Sequence, residues 1–227
     1  MNLVYRPVNL ITHDATGFFR CLPTTDKPDG TTVASKSLLS HDKDNISTAE
    51  KNAALLNQAF KDLADAFIIG GRPRLIVPLN SYALGTGDAA TIIVQAFKEL
   101  SEELRPAVII ELFDFPVTLT ADILGDITIP VLPFFDKYMA TPNPDNNDFT
   151  EFSNLNFFGV SLDLDASGAT GEDAIADLTK FWAEATKRRL KVIVQGVQDQ
   201  DVADKAQQYE CFAMDGSLVG EDRPTLS

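Results

Sequence analysis

Cysteine, histidine and positive charge are all scarce in this chain. Its two cysteines, Cys21 and Cys211, stand far apart with no Cys-x-x-Cys or Cys/His spacing. That excludes a disulfide framework and a zinc site, and leaves two buried thiols in a reducing compartment. The two histidines, His13 in a polar hairpin turn and His41 in a polar loop, offer no catalytic setting. Nineteen Lys and Arg face 33 Asp and Glu, a formal net charge of −14. Such a surface repels phosphate backbones and anionic lipid, so neither nucleic acid nor a membrane surface is an expected partner. No apolar run approaches the ~20 residues of a membrane span. The opening Met-Asn-Leu-Val-Tyr-Arg-Pro has neither the basic nor the apolar region of a secretion signal, so a cytoplasmic location is expected. No internal repeat is visible.

What is present is an ordinary globular composition, 44% hydrophobic and 23% charged in 227 residues. Residues 1–227 fit one domain, since α/β barrels run to roughly 200–250 residues without splitting. Residues 3–11 and 17–22 are β-prone and separated by polar residues, which predicts an antiparallel hairpin. Pro28-Asp-Gly30 marks a turn. Ser47-Thr-Ala-Glu50 has the form of a capping box, and Leu55, Leu56, Phe60, Leu63, Ala64 and Phe67 follow at helical spacing until Gly70-Gly71. Extended and helical patterns then alternate. Strands are predicted at 75–79, 108–113, 127–135, 157–164, 190–194 and 212–219, and helices at 88–104, near Ala121, at 172–189 and at 199–209. A loop rich in Pro, Asn and Asp fills 141–154. Fully apolar strands alternating with amphipathic helices predict a parallel sheet covered by helices, and seven or eight strands favour a closed barrel.

Leu190-Lys-Val-Ile-Val-Gln-Gly-Val-Gln-Asp199 resembles the Leu-Lys-Val-Val-Ala-Glu-Gly-Val-Glu-Thr signature of EAL domains, bacterial phosphodiesterases of the second messenger cyclic di-GMP. Gln195 stands where that family has a metal-site glutamate. The resemblance runs from Tyr5 to Pro224 on sparse identities whose order and spacing carry it. Tyr5-Arg-Pro-Val8 is similar to the family's opening, which puts Arg20-Cys21-Leu22 where Glu-Ala-Leu stands. Leu75-Ile-Val-Pro-Leu-Asn80 is similar to Leu-Ser-Val-Asn-Leu-Ser, with Pro78 for the asparagine ligand and Asn80 expected on the wrong side of the strand. Val108-Ile-Ile-Glu-Leu-Phe-Asp114 keeps a carboxylate at Glu111, with Asp114 as a conservative second. Pro133-Phe-Phe-Asp136 falls near the Asp-Asp-Phe motif, where only Asp136 could substitute. Gly159-Val-Ser-Leu-Asp163 matches Leu-Lys-Ile-Asp, with Ser161 for the lysine and Asp163 kept. Cys211-Phe-Ala-Met-Asp-Gly216 matches the closing strand, with Asp215 for glutamine.

The resemblance implies a TIM-like (β/α) barrel of EAL type with an irregular antiparallel first strand. It also implies that the site is vestigial, at Arg20, Pro78, Glu111, Asp114, Ser161, Asp163, Gln195 and Asp215. A metal-bound hydroxide needs a carboxylate and amide cage that tolerates few vacancies. Arg20, Pro78, Ser161 and Gln195 are poor ligands or none, so no catalytic residue, metal or cofactor is assigned. Duller roles compete at single positions. Glu111 could accept from turn amides or pair with Arg20, Asp163 and Asp165 could cap the turn at Ser167-Gly, and Lys187-Arg-Arg189 suits a helix C-terminus. Gly85-Thr-Gly87 and Gly168 are too isolated to read as phosphate loops, and Asp88 reads as a helix cap.

Three functions follow. The residues favour an inactive regulatory domain that works through contact with an unidentified protein in bacterial signalling. The second is a metal-independent receptor for cyclic di-GMP or another nucleotide. The third is a phosphodiesterase with a cage remodelled from Glu111, Asp114, Asp136 and Asp163. A homodimer stays open. Arg20 is the only cation the resemblance places inside, so an Arg20–Glu111 ion pair is expected in place of the metal.

Overall fold

Eight strands close on themselves because the first pairs with both the second and the last. The computed structural model describes residues 1–13, 15–40 and 44–226, so His41 lies outside the described residues. In chain order the elements are β1 (Asn2–Leu10), β2 (Ala15–Asp26), β3 (Thr32–Ala34), α1 (Asn45–Ile68), β4 (Leu75–Asn80), α2 (Gly87–Glu99), β5 (Val108–Phe113), α3 (Ala121–Thr128), β6 (Tyr138–Ala140), α4 (Thr150–Asn154), β7 (Gly159–Asp163), α5 (Leu164–Ser167), α6 (Gly171–Lys187), β8 (Lys191–Gln195), α7 (Gln200–Gln208) and β9 (Ala213–Asp215). The ring order is β1, β2, β4, β5, β6, β7, β8, β9 and back to β1, with β3 a short flap on β2. β1 is antiparallel to both its neighbours, and every pairing from β2 through β4 to β9 is parallel. This is the expected TIM-like barrel with an inverted first strand.

Period-two alternation assigns the two faces of each strand. Outward residues such as Tyr5, Cys21, Val77, Ile110, Val160 and Val194 pack beneath the helices, where α1 contributes Leu55, Leu56, Phe60 and Leu63. Inward residues Val8, Phe18, Ile76, Ile109, Met139, Ile193 and Ala213 form a separate apolar plug inside the ring. The plug fills one end of the barrel and leaves the other to polar side chains.

Three expectations are corrected. Residues 127–135 are not a strand. Ile127, Val131 and Phe135 recur four apart and are all buried, so the segment coils as the end of α3 and the turns after it, and the strand is Tyr138–Ala140. Pro130, which has no amide to donate, also suits a turn better than a ladder. The cap of α1 is Asp44, whose Oδ1 accepts from the Ser47 amide at 2.7 Å, and not Ser47 itself. Likewise Thr86, not Asp88, caps α2, with Asp88 in the first turn.

The predicted turn at Pro28-Asp-Gly30 is present, and it leads into an element the sequence did not signal, the β3 flap. The turn at Lys27–Gly30, with Gly30 at φ +83°, reverses β2 into β3. The chain is thereby returned to the barrel end, where Ser35 caps a 3-10 turn over Lys36–Leu39.

Candidate functional site

Two residues beyond each member of the plug, the same strand face meets the open end. The register gives Arg20 after Phe18, Pro78 after Ile76, Glu111 after Ile109, Thr141 after Met139, Gln195 after Ile193 and Asp215 after Ala213, and on β7, where Gly159 lies at the level of the plug without joining it, Ser161 two and Asp163 four residues further on. β1 runs the other way, so its residue on this level precedes Val8 and is Arg6. Lys36 enters from the β3 flap and drops its ammonium among them.

Lys36 Nζ donates to Glu111 Oε1 at 3.0 Å, Thr141 Oγ1 at 2.7 Å and Gln195 Oε1 at 2.9 Å, and stands 3.0 Å from Asp163 Oδ2. Glu111 Oε1 also accepts from Thr141 Oγ1 at 2.6 Å, Ser161 Oγ at 2.7 Å and Gln195 Nε2 at 2.6 Å. Glu111 Oε2 has no hydrogen-bond partner although the residue is fully buried. Arg20 forms the second cationic centre. Its guanidinium donates to Asp215 Oδ1 at 2.6 Å and Gln195 Oε1 at 3.1 Å, and lies 3.6 Å from Asp165. The Gly196 amide donates to the same Asp215 oxygen at 3.2 Å. Outside this, Arg6 clamps Asp222 through two nitrogens and donates to Asp165 at 2.7 Å. Gly196 is required here, because at φ +76° a Cβ would sit 2.5 Å from the Asp165 carboxylate.

The charges set one another. Burial would raise the Glu111 carboxyl, but Lys36 and Arg20 outweigh it and hold the group below the usual range. Asp163 goes further, to about 2: burial raises it, and Lys36, Arg20 and the Ala166 amide pull it down. Asp215 moves the other way, since full burial with Oδ2 unpartnered outweighs Arg20. The pairing holds the Arg20 guanidinium charged despite its desolvation.

The expected Arg20–Glu111 ion pair is therefore corrected. Glu111 takes Lys36, and Arg20 takes Asp215. The reason is directional: Arg20 stands on β2 near the β9 side of the ring, while Lys36 arrives from above and spans β5, β7 and β8. Asp163 fills both roles considered for it, capping α5 through Oδ1 to Ala166 N and pairing with Lys36 through Oδ2. Asp114, at φ +58°, turns to Asn80 and Ser81, accepting from Asn80 Nδ2 at 2.8 Å and Ser81 Oγ at 2.7 Å. Asp136 is exposed just before β6, at the opposite end of the barrel, so it is no part of this cluster. Asn80 is not on the wrong face: it is two residues from Pro78, shares its side, and is fully buried with Nδ2 donating to Leu39 O and Asp114.

Lys36 and Thr141 were missed. Thr141 was hidden by the misplaced sixth strand. Lys36 carries no local motif, but Glu111, Asp163 and Asp215 against Arg20 alone leave excess buried charge, and that imbalance asks for a second cation.

The donor set does not fit a divalent metal. Two fixed cations already pair with the three buried carboxylates Glu111, Asp163 and Asp215, Pro78 supplies no side-chain oxygen, and no group of three or more His, Cys, Asp or Glu among the described residues is arranged to hold one.

No protein-family model matches the sequence and no curated protein aligns with it. Solved structures share its fold, and they are EAL domains. A PaMucR phosphodiesterase in complex with c-di-GMP superposes with a TM-score of 0.75 at 16% identity, covering 98% of this chain and 91% of that one. The FimX EAL domain from Pseudomonas aeruginosa bound to c-di-GMP gives 0.72 at 16% identity, over 100% of this chain and 92% of that one. An EAL domain protein from Listeria monocytogenes gives 0.66 at 14% identity, covering 98% and 88%. The fold of this chain is thus the EAL barrel. Among the described residues no helix is long and apolar enough to cross a membrane.

Proposed function

We propose that this chain is a regulatory domain of bacterial signalling, built on the EAL fold, that has no phosphodiesterase activity and works in the cytoplasm through contact with another protein. The observation that carries the reading is the Lys36 ammonium seated between Glu111 and Asp163, with Thr141 and Gln195 completing its shell. An ammonium held between the two carboxylates meets half of their charge and occupies the space a hard cation would need, and hydrolysis by a metal-bound hydroxide requires that cation. Gln195 supports the same reading. Its amide donates to Glu111 and accepts from both Lys36 and Arg20, which a glutamate at that position could not do. The net charge of −14 disfavours an anionic ligand at a mouth whose two buried cations are already paired. On the rim, Val117 is 99% exposed beside the 143–148 loop, and this is where contact with a partner is placed in this reading.

A second reading, metal-independent capture of cyclic di-GMP, is favoured by the PaMucR and FimX structures, both complexes with that nucleotide. Calorimetry with cyclic di-GMP, with and without Mg²⁺ or Mn²⁺, beside an assay for the linear dinucleotide, separates the two. Neither heat nor product is expected. Heat without metal would support the receptor, and turnover lost on Glu111→Ala would overturn both. A photoreactive residue at Val117 should trap a protein in bacterial cells. If none is trapped there while nucleotide binds, the receptor reading stands.

A further inference from the structure

The strands change character on the far side of the plug as well. Arg74 stands two residues before Ile76, Lys137 two before Met139 and Lys191 two before Ile193. Three exposed cations therefore share one level at the plugged end of the barrel, at the starts of the alternate strands β4, β6 and β8. They stand on a common floor. Arg74 lies over the Phe18 ring at 4.4 Å, Lys137 over Phe158 at 5.9 Å and Lys191 over Phe212 at 5.9 Å. The rings form one cluster, with Phe212 centred 6.2 Å from Phe18 and 5.2 Å from Phe158. Arg74 is also fixed through Nε, which donates to Gly17 O at 3.0 Å. Among the described residues none of the three cations has a carboxylate partner, in a chain with 33 Asp and Glu to 19 Lys and Arg. Covering an aromatic floor accounts for the long stems. It does not account for three charges left together.

We propose that Arg74, Lys137 and Lys191 form a docking surface for a short acidic segment of another protein, one that presents several Asp or Glu side chains together. Charge complementarity selects this partner. The cations already cover the rings, so a nucleobase finds no face on which to stack, which disfavours single-stranded nucleic acid. Exposed Asp136, Glu210, Glu102 and Glu103 lie at the same end of the barrel. A lipid surface or a long phosphate chain laid across that end would meet their repulsion, whereas a short segment confined to the three cations avoids it. The surface lies at the opposite end from Val117 and the mouth, and it stands whether or not the mouth binds a nucleotide.

The test is fluorescence anisotropy of a labelled octaglutamate peptide titrated with the full chain at low salt. An octaglutamine peptide, an oligothymidylate of the same length and vesicles of phosphatidylserine in phosphatidylcholine serve as rivals. The natural protein should bind the glutamate peptide, ignore the glutamine one, and hold the peptide more tightly than the oligonucleotide or the vesicles. Replacing Arg74, Lys137 and Lys191 together by methionine keeps a stem over each ring and removes only the charge. That triple variant should keep its melting temperature and bind about tenfold more weakly, as the loss of three exposed charge pairs implies. A control triple variant, Lys27→Met with Lys61→Met and Lys180→Met, removes as many exposed cations elsewhere and should bind like the natural protein. Should the first triple variant be unfolded, Lys137→Glu and Lys191→Glu, made singly, should each weaken binding. No binding of the glutamate peptide would overturn the proposal. So would equal losses in the two triple variants, which would mark net charge alone, or tighter binding of the vesicles or the oligonucleotide, which would mark a different class of partner.

Discussion

Two residues along the strands separate the apolar plug from the ionic mouth, and the layers are held by different physics. Ile76, Ile109, Met139 and Ile193 in the plug are stabilised by burial without direction, so each can be exchanged for a shape of similar volume. Lys36, Glu111, Asp163, Gln195, Arg20 and Asp215 in the mouth are stabilised only as a set, since any one removed leaves another buried and unsatisfied. One barrel thus has a tolerant end and an exacting one.

The largest effect should come from splitting the mouth. Glu111→Ala or Lys36→Ala should each cost about 3–5 kcal/mol in urea unfolding, as removing one partner of a buried pair does. The double substitution should cost less than the sum, while Arg20→Ala should couple most strongly to Asp215→Ala. Equal coupling of Arg20 to Glu111 would erase the distinction between the two cationic centres. In the plug, Ile109→Ala should cost about 3 kcal/mol through its cavity, and Ile109→Val only about 1 kcal/mol. A valine as harmful as the alanine would deny the plug its tolerance.

Acid sharpens the comparison, because only the mouth titrates. Asp163 is held at about 2 in the fold, below the ordinary value of 3.8, so its stabilisation is complete above pH ~4 and is lost as the pH falls towards 2. Nearly two pH units correspond to about 2 kcal/mol. Glu111, lowered as well, adds a loss of the same sign, and Asp215, raised by burial, offsets part of it. Unfolding measured from pH 6 to 2 should fall less steeply in Asp163→Asn, and an unchanged slope would refute the assignment. At the surface, Lys187→Ala, which loses a pair with Glu184, should change stability by no more than about 0.5 kcal/mol.

The barrel was legible because its strands are apolar on both faces and its helices on one, a pattern written in runs as short as Val108–Phe113. β6 was not, since a three-residue strand after the Ile127, Val131 and Phe135 coil has too little period to count. Glu111, Ser161, Asp163, Gln195 and Asp215 were found through strand-end motifs, and the register gathers them at one end. Lys36 escaped because a lysine in a connector owes its position to the β3 flap, which depends on a turn six residues upstream. Asn80 was misjudged for a simpler reason, the parity of two residues on one strand.

The inverted first strand carries one more consequence, in the order of folding. Seven neighbouring pairs of the ring are joined by a hairpin or one crossover, but β1 reaches β9 across Val8 and Asp215, almost the whole length of the chain. Loop-closure entropy makes so distant a pairing late, and its three-residue register, Val8 to Leu10 on Ala213 to Asp215, is short beside the nine pairs of β1 with β2. The seam between these strands should open before the β1–β2 ladder, so its amides should exchange with solvent ahead of those in that ladder. Arg20 on one side of that seam and Asp215 on the other make the ion pair of the mouth a latch on the closed ring.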